Sequence, residues 1–431
     1  MESMSLQNLI IAFLATIIQF YDYALFGLTA AFLANEYIPP NTLINPITSI
    51  FILLGVTTIA KPIGSLIYGI IGDHYGKPIA IKIAALLSTI SVILVALIPS
   101  YKQIGIQATI LFLICRIIFT TSLVGESDSA RIYVFETIGN KHKNFANGMV
   151  ASCYQVGAIL ATLIFWLSNT LSSNPEHSWR ICFIIGGLLG LLLLFFRKNF
   201  KDDDNTIYAA DIVTTLKLIH FFQQDTWHTT TRSKLDIYFK LILQYWKLLI
   251  PSSLILGCIG GIYSFQVYFF SVYITKILPI TNYSNISLIN LTALVQYSIM
   301  ALFAGYFADN YQWKLQVIVA LVFSIVFSIL NIVLVSNKIF FPLAHIAIIL
   351  LVPFYSVPLQ VSISKLFPDY GRLRLFSLSH SIGSMLISSQ IGTISSLIWD
   401  TSNNNLMPMI IPILLCLILI ITLVKYLNEI D

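Results

Sequence analysis

Charge is the scarcest commodity in this sequence. Only 10% of its 431 residues are charged and 57% are hydrophobic, where a soluble domain carries roughly 25% charged residues. Such a chain cannot cover its surface with polar groups in water, which excludes a soluble globular protein and points to lipid. Basic residues are missing before Lys61. A secretory signal needs a basic n-region and a transit peptide needs arginines, so the first apolar segment is expected to remain as a membrane span. The five cysteines, Cys115, Cys153, Cys182, Cys258 and Cys416, all fall in apolar segments and read as small core side chains rather than a disulfide set. There is no C-x-x-C, no H-E-x-x-H and no G-x-x-x-x-G-K-[ST], which argues against a zinc protease and a P-loop ATPase on this chain. No nucleophile–base pair or metal cluster stands out, so an enzyme is not expected. Neither a metal, a cofactor nor a nucleic-acid partner is expected.

What the chain has in abundance is long apolar runs. A helix needs about 20 apolar residues to cross a bilayer, and the sequence predicts twelve such segments, near 8–32, 47–71, 78–99, 106–135, 145–170, 179–197, 248–275, 286–308, 315–336, 340–364, 373–399 and 407–427. The fold class is therefore all-α integral membrane. With the N-terminus placed in the cytoplasm, four of the 24 Lys and Arg (Lys102, Arg180, Lys276, Lys338) fall in outer loops, three (Lys61, Arg116, Arg131) within spans, and the remaining 17 inside. That bias sets both termini on the cytoplasmic side. The polar segment 198–247 divides the spans into six-helix halves, 1–197 and 248–431, and is either a plain tether or carries an amphipathic helix on the membrane near 233–247. A repeat supports the division. Gly69, Asp73 and Tyr75 in GIIGDHYGK recur 236 residues on as Gly305, Asp309 and Tyr311 in GYFADNYQWK.

The apolar spans of the first half contain Asp22, Lys61, Arg116, Glu126, Asp128 and Arg131, three acids and three bases. Facing lipid, each would cost a few kcal/mol, so they are expected to face the interior and pair. Glu126 lies about 15 Å along a helix from Arg116. A carboxyl moved between a desolvated and a paired environment takes up a proton on one side and releases it on the other. Glu126, Asp22 and Asp128 are the proton-coupling candidates; the competing reading is that they only fix helix packing. Asp128 and Arg131, one turn apart, are placed to satisfy each other. Arg116 either receives a substrate carboxylate bidentately or serves as a fixed partner for a nearby acid or carbonyl. The second half has few such groups, chiefly His345 and His380. Gly72 and Gly76 permit a tight turn between spans. A carboxylate at Asp73 or Asp309 can meet a helix N-terminus of the other half and act as a gate latch. Asn282, Asn285 and Asn290 each begin an N-x-[ST] triplet that chance explains in an Asn-rich chain.

Five stretches together resemble the metabolite:proton symporter branch of the major facilitator superfamily. ATIIQFYDYALFG (15–27) is similar to its first-span pattern, with Asp22 in the Asp position and Gln19 where that pattern has Glu. KPIGSLIYGIIGDHYGK (61–77) resembles its second-span and loop pattern, with Lys61 standing for an Arg. RIIFTTSLVGESDSARIYVFE (116–136) matches at Arg116, Gly125, Glu126, Tyr133 and Glu136, while Asp128 and Arg131 depart from it. ASCYQVGAILA (151–161) and WRICF (179–183) follow at the expected distances. FPDYGRLRLFSLSHSIG (367–383) matches at Arg372 and Gly383, with His380 and Ser381 replacing Tyr-Asn.

The resemblance implies a twelve-helix major facilitator fold and a proton-coupled carrier of the inner membrane of a bacterium. It would take up a small polar metabolite by alternating access around a midplane site. Proline or betaine-like zwitterions lead as substrates and dicarboxylates follow. The proton gradient supplies the energy, and protons, the solute and the lipid bilayer are the partners of a monomer. Arg116, Lys61, Tyr21, Gln155 and His380 form the candidate substrate-binding set. Gly72, Asp73, Gly76, Lys77, Glu136, Asp309 and Arg372 form the candidate gate loops. The alternatives are an uncoupled facilitator or exchanger, motivated by Gln19, and more distantly a transporter-like solute sensor.

Overall fold

The computed structural model describes residues 2–39, 46–75, 77–138, 140–171, 178–196, 226–270, 273, 283–334, 340–368, 372–402 and 404–426. Eleven helices among them are long and apolar enough to cross a membrane, and Lys82–Leu97 is a shorter apolar twelfth. The first half runs α1 (Glu2–Leu28), its continuation α2 (Ala30–Tyr37), α3 (Pro46–Thr57), α4 (Ala60–Tyr75), α5 (Lys77–Leu97), the single turn α6 (Tyr101–Ile104), α7 (Ile106–Ile138), α8 (Lys143–Leu171) and α9 (Ser178–Phe196). The second runs α10 (Thr226–Ser264), α11 (Tyr283–Asn310), α12 (Trp313–Val333), α13 (Phe340–Leu366), α14 (Arg372–Leu386), α15 (Ile391–Ser402) and α16 (Ile410–Tyr426). This is a twelve-span bundle of two six-helix halves.

Two spans expected to be continuous are broken. In the second span, α3 gives way to α4 at Thr58–Ile59. Lys61 precedes Pro62, which has no N–H to donate and disfavours a helical residue before it. The backbone tightens to three-residue bonds there, Thr58 to Gly55 at 3.1 Å and Lys61 to Thr58 at 3.0 Å. In the eleventh span a 3-10 turn, Ser388–Gln390, separates α14 from α15. The two breaks face each other, because the Gln390 amide donates to the carbonyls of Gly55 and Met385, both at 3.1 Å. That bond satisfies carbonyls which the interrupted helices leave open. A third irregularity is the π-helical stretch Phe265–Phe269 that follows α10.

The stretch 233–247 is continuous with the seventh span inside α10, a helix of 39 residues. At 1.5 Å per residue it is about 58 Å long, well beyond the ~30 Å hydrocarbon core. The backbone there extends the span rather than forming a separate helix. The core of the first half is aromatic: Phe26, Phe112, Phe119, Trp179 and Phe183 are buried together. Arg180 closes one end of that half, donating to the carbonyls of Ala96 and Ile98 at 2.8 Å and to Glu36 at 2.5 Å. Leu188, Leu192 and Phe195 on α9, and Leu414, Ile421 and Val424 on α16, point outward, as helices in hydrocarbon require.

The halves meet along α8 with α11 and along α3–α4 with α14–α15. Close approach at the first seam depends on Gly148 and Gly305. A Cβ on Gly305 would sit 2.5 Å from the Asn144 carbonyl oxygen, and one on Gly148 would collide with that of Ala301. Small residues at such a seam let two backbones touch.

Candidate functional site

The two breaks and the π-helical stretch converge on a cleft of about 70 Å³ between the halves, lined by Tyr23, Phe26, Thr58, Arg116, Tyr268 and Ser389 among others. That volume holds a few waters and is well below the roughly 300–1,000 Å³ of an open ligand pocket. The halves are therefore drawn together around it. Among the described lining residues Arg116 is the one charged group, and there is no carboxylate.

Arg116 is 4% exposed. Its guanidinium carbon lies 4.0 Å from the Phe26 ring centre, 5.3 Å from Phe119 and 6.0 Å from Tyr23. Its Nε and Nη1 have no hydrogen-bond partner among the described residues. The ring faces stabilise the cation but leave two donors open, an arrangement that a planar carboxylate completes. Lys61 borders the same space from α4, its ammonium 5.8 Å from the Tyr23 ring centre. It donates across the halves to Ser384 at 2.5 Å and Ser389 at 3.4 Å, spanning the break in the eleventh span.

Deeper along α7 a second polar cluster crosses the interface. The Asp128 carboxylate contacts His380 Nδ1 of α14 at 2.9 Å. The Asp128 side chain is 1% exposed and that of His380 35%. Arg131 donates to the Tyr154 hydroxyl at 2.8 Å, and Tyr154 stacks on Phe20 with ring centres 3.8 Å apart. Gln155 accepts from the Tyr263 hydroxyl of α10 at 2.9 Å. Asn147 donates to the Val357 carbonyl at 2.8 Å and to Gln360 at 3.0 Å. At the end of this seam, Asp309 caps α8 from the other half. Its carboxylate accepts the backbone N–H of Asn144 at 3.1 Å and of Phe145 at 2.8 Å, and the Asn144 side-chain amide at 2.9 Å.

The sequence profile of the Major Facilitator Superfamily matches residues 12–395. The chain belongs to the major facilitator superfamily. It is a multi-pass helical membrane protein of that superfamily. A Staphylococcus aureus (strain COL) protein named "Putative proline/betaine transporter" is 29% identical over 220 residues, 48% of this chain and 47% of that one. The Escherichia coli (strain K12) proline/betaine transporter is 28% identical over 194 residues, 44% of this chain and 39% of its own. Each alignment thus spans about half or less of the curated relative's length. Among solved structures, the proton:xylose symporter XylE bound to 6-bromo-6-deoxy-D-glucose superposes with a TM-score of 0.72 at 15% identity, over 100% of this chain and 96% of its own. A partially occluded inward-open XylE from E. coli superposes with a TM-score of 0.72 at 16% identity and 98% coverage of both chains. At such identities these structures bear on the fold alone.

Within this facilitator the predicted site residues separate into three groups. Arg116, Lys61, Gln155, Asp128 and His380 come together at the interface between the halves. Asp309 meets a helix N-terminus of the other half, whereas Arg372 donates to the Ser364 carbonyl of its own half at 3.1 Å. Asp22 and Tyr21 lie elsewhere. Both turn toward α9: the Tyr21 hydroxyl donates to the Cys182 carbonyl at 2.9 Å, and a methyl group on Gly186 would collide with the Asp22 carboxylate. Tyr21 is thus a packing residue of the first half rather than part of the cleft wall, and Asp22 sits inside that half, outside the lining. Asp128 and Arg131 do not form the expected pair, since Asp128 contacts His380 and Arg131 contacts Tyr154. The side chains of Gly72, Asp73, Gly76, Lys77, Glu126, Glu136, Asn282, Asn285 and Asn290 lie outside the described residues. Sequence reasoning missed Tyr23, Tyr268, Ser384 and Ser389. Tyr23 sits one residue beyond Asp22 in FYDY, and the serines lie in the Ser-rich run 377–389, so both signals were present.

Proposed function

We propose that this facilitator is a proton-coupled uptake carrier of the bacterial cytoplasmic membrane for a small carboxylate-bearing metabolite, a proline/betaine-type osmolyte or a carboxylate. The observation that carries the reading is Arg116, buried among Phe26, Phe119 and Tyr23 with Nε and Nη1 unbonded among the described residues. A desolvated guanidinium is costly without an anion, and a carboxylate entering between the halves supplies one. The names of the curated relatives support the same class. The solute is held while the halves close around it and is released when they part on the far side. Protons and the solute are the exchanged species, and no cofactor enters the scheme.

A light buffer and a panel of labelled proline, betaine, α-ketoglutarate and citrate test it. Cells expressing the protein should alkalinise the medium as one solute enters, and Arg116→Gln should abolish both signals. Entry without a pH change would favour the uncoupled facilitator. One observation speaks for that second reading: Gln19, where the family pattern has an acid, gives its amide to the Leu123 carbonyl at 3.1 Å.

A further inference from the structure

We infer that the coupled proton is carried at the Asp128–His380 contact, which holds the halves together when protonated and lets them part when it is not. This rests on the proton-coupled reading above and names the groups that perform it.

Four observations converge. The contact joins α7 to α14, and its partners are 252 residues apart in sequence, one in each half. It lies 12 residues deeper along α7 than Arg116, about 18 Å of helix, and so stands apart from the cleft, on the way to the seam end that Asp309 closes. One member is sealed and the other is not: Asp128 is 1% exposed, while the imidazole is 35% exposed and within reach of an arriving proton. Both groups are ionisable, so the tie has two strengths. With Nδ1–H donating to the carboxylate, Nε2 of the neutral ring is free to accept one proton. Uptake makes an imidazolium–carboxylate pair across the halves, and release of that proton from Nε2 restores a single hydrogen bond. A buried charge-assisted bond is the stronger of the two.

The surrounding charges fit this role. Lys61 of α4 and Arg131 of α7 act electrostatically on Asp128, and Ser377 of α14 lies beside it. Tyr154 of α8 reaches the cluster through Arg131. Helices α10 and α13 also pack on α14; their described charged or imidazole groups are Lys240, Lys247, His345 and Lys365, none hydrogen-bonded to His380.

The test needs no solute. Spin labels on Lys141→Cys and Lys365→Cys, exposed sites on opposite halves, report the separation of the halves by dipolar distance measurement. The full-length protein is used in proteoliposomes with Cys153 replaced by Ser. Between about pH 5.5 and 8.5 the ratio of joined to parted molecules should fall as pH rises, by up to tenfold per pH unit, the limit for one linked proton. His380→Asn, which keeps an N–H at the Nδ1 position, should flatten the profile, and so should Asp128→Asn. A flat wild-type profile overturns the proposal, as does a slope that persists in either variant. Should His380→Asn not fold, Asp128→Asn and the wild-type slope still decide. Failure of the transport reading shows separately, as absence of solute uptake with the pH-dependent distances intact.

Discussion

Asp309 offers the sharpest quantitative check on how the two halves are held together. Its carboxylate accepts three N–H groups at the start of α8, at 2.8–3.1 Å, from across the molecular interface. Hydrogen bonds to a charged group contribute about 1.5–3 kcal/mol each when dry, but this site is partly exposed and water competes. Capping a helix N-terminus contributes about 0.5–2 kcal/mol, and the helix dipole adds about 0.3–1 kcal/mol. Asp309→Asn keeps one acceptor oxygen but loses the charge, so it should weaken the joined state by about 1–2 kcal/mol, a roughly 5- to 30-fold shift toward parted halves. Asp309→Ala should shift it further. The spin-label pair at positions 141 and 365 reads the populations directly at fixed pH. A change of less than twofold in Asp309→Ala would sink the argument, because three simultaneous bonds at a helix terminus cannot be lost without moving an equilibrium that depends on them.

Three further outcomes are expected. Arg116→Gln should lower solute kcat/KM by about 30- to 1,000-fold, the loss of a bidentate charge-assisted contact of about 2–4 kcal/mol, with Arg116→Lys intermediate; unchanged uptake kinetics would remove Arg116 from the solute path. Tyr21→Phe should cost about 0.5–1.5 kcal/mol of stability through the lost bond to Cys182, seen as a lower Tm in detergent, while the KM of transport stays at the wild-type value. Gly305→Val should drive a side chain into the α8 backbone at Asn144 and cost about 1–3 kcal/mol by overpacking, read as a population of parted halves in the same distance measurement.

The membrane class and the six-plus-six layout follow from run length and charge scarcity, properties that survive any detail of packing. Burial of the described intramembrane charges, Asp22, Lys61, Arg116, Asp128 and Arg131, followed too, because lipid penalises each of them in the same way. Direction within the bundle did not follow. Asp22 and Tyr23 are neighbours in sequence, yet a helix turns about 100° per residue, and that step separates the cleft wall from the contact with α9. Hydrophobic patterning fixes a helix's face poorly when its whole circumference is apolar. The two helix breaks were legible in part. Lys61–Pro62 is a recognisable stop signal, whereas the turn at 388–390 has no proline and arises where Gln390 finds the Gly55 carbonyl, a contact formed only after the halves associate. The Asp128–Arg131 expectation failed for a related reason: spacing on one helix permits a pair, but His380 and Tyr154, supplied by other helices, compete for the same groups and win.

The unequal distribution of charge between the halves gains a physical meaning from these contacts. The first half contributes Lys61, Asp128 and Arg116 to the interface, and the second answers with Ser384, Ser389, His380 and the aromatic wall of Tyr268. Had the second half answered with opposite charges, each opening would break a buried ion pair at about 3–5 kcal/mol. Two or three such pairs would lock the carrier shut. Hydroxyls and an imidazole hold the same surfaces together at about 0.5–3 kcal/mol per bond, a cost that hydration of the parted groups largely offsets. The proposed alternation of access needs contacts firm enough to close and weak enough to open, and no described contact across the halves here sets a Lys or Arg of one against a carboxylate of the other: around the cleft, charged groups of the first half meet hydroxyls and an imidazole of the second, and Asp309 bonds N–H groups of Asn144 and Phe145 rather than a cation. On the proposed proton coupling, a proton taken up at His380 would convert one of these ties into a charge-assisted one, so that opening of the interface would depend on that proton.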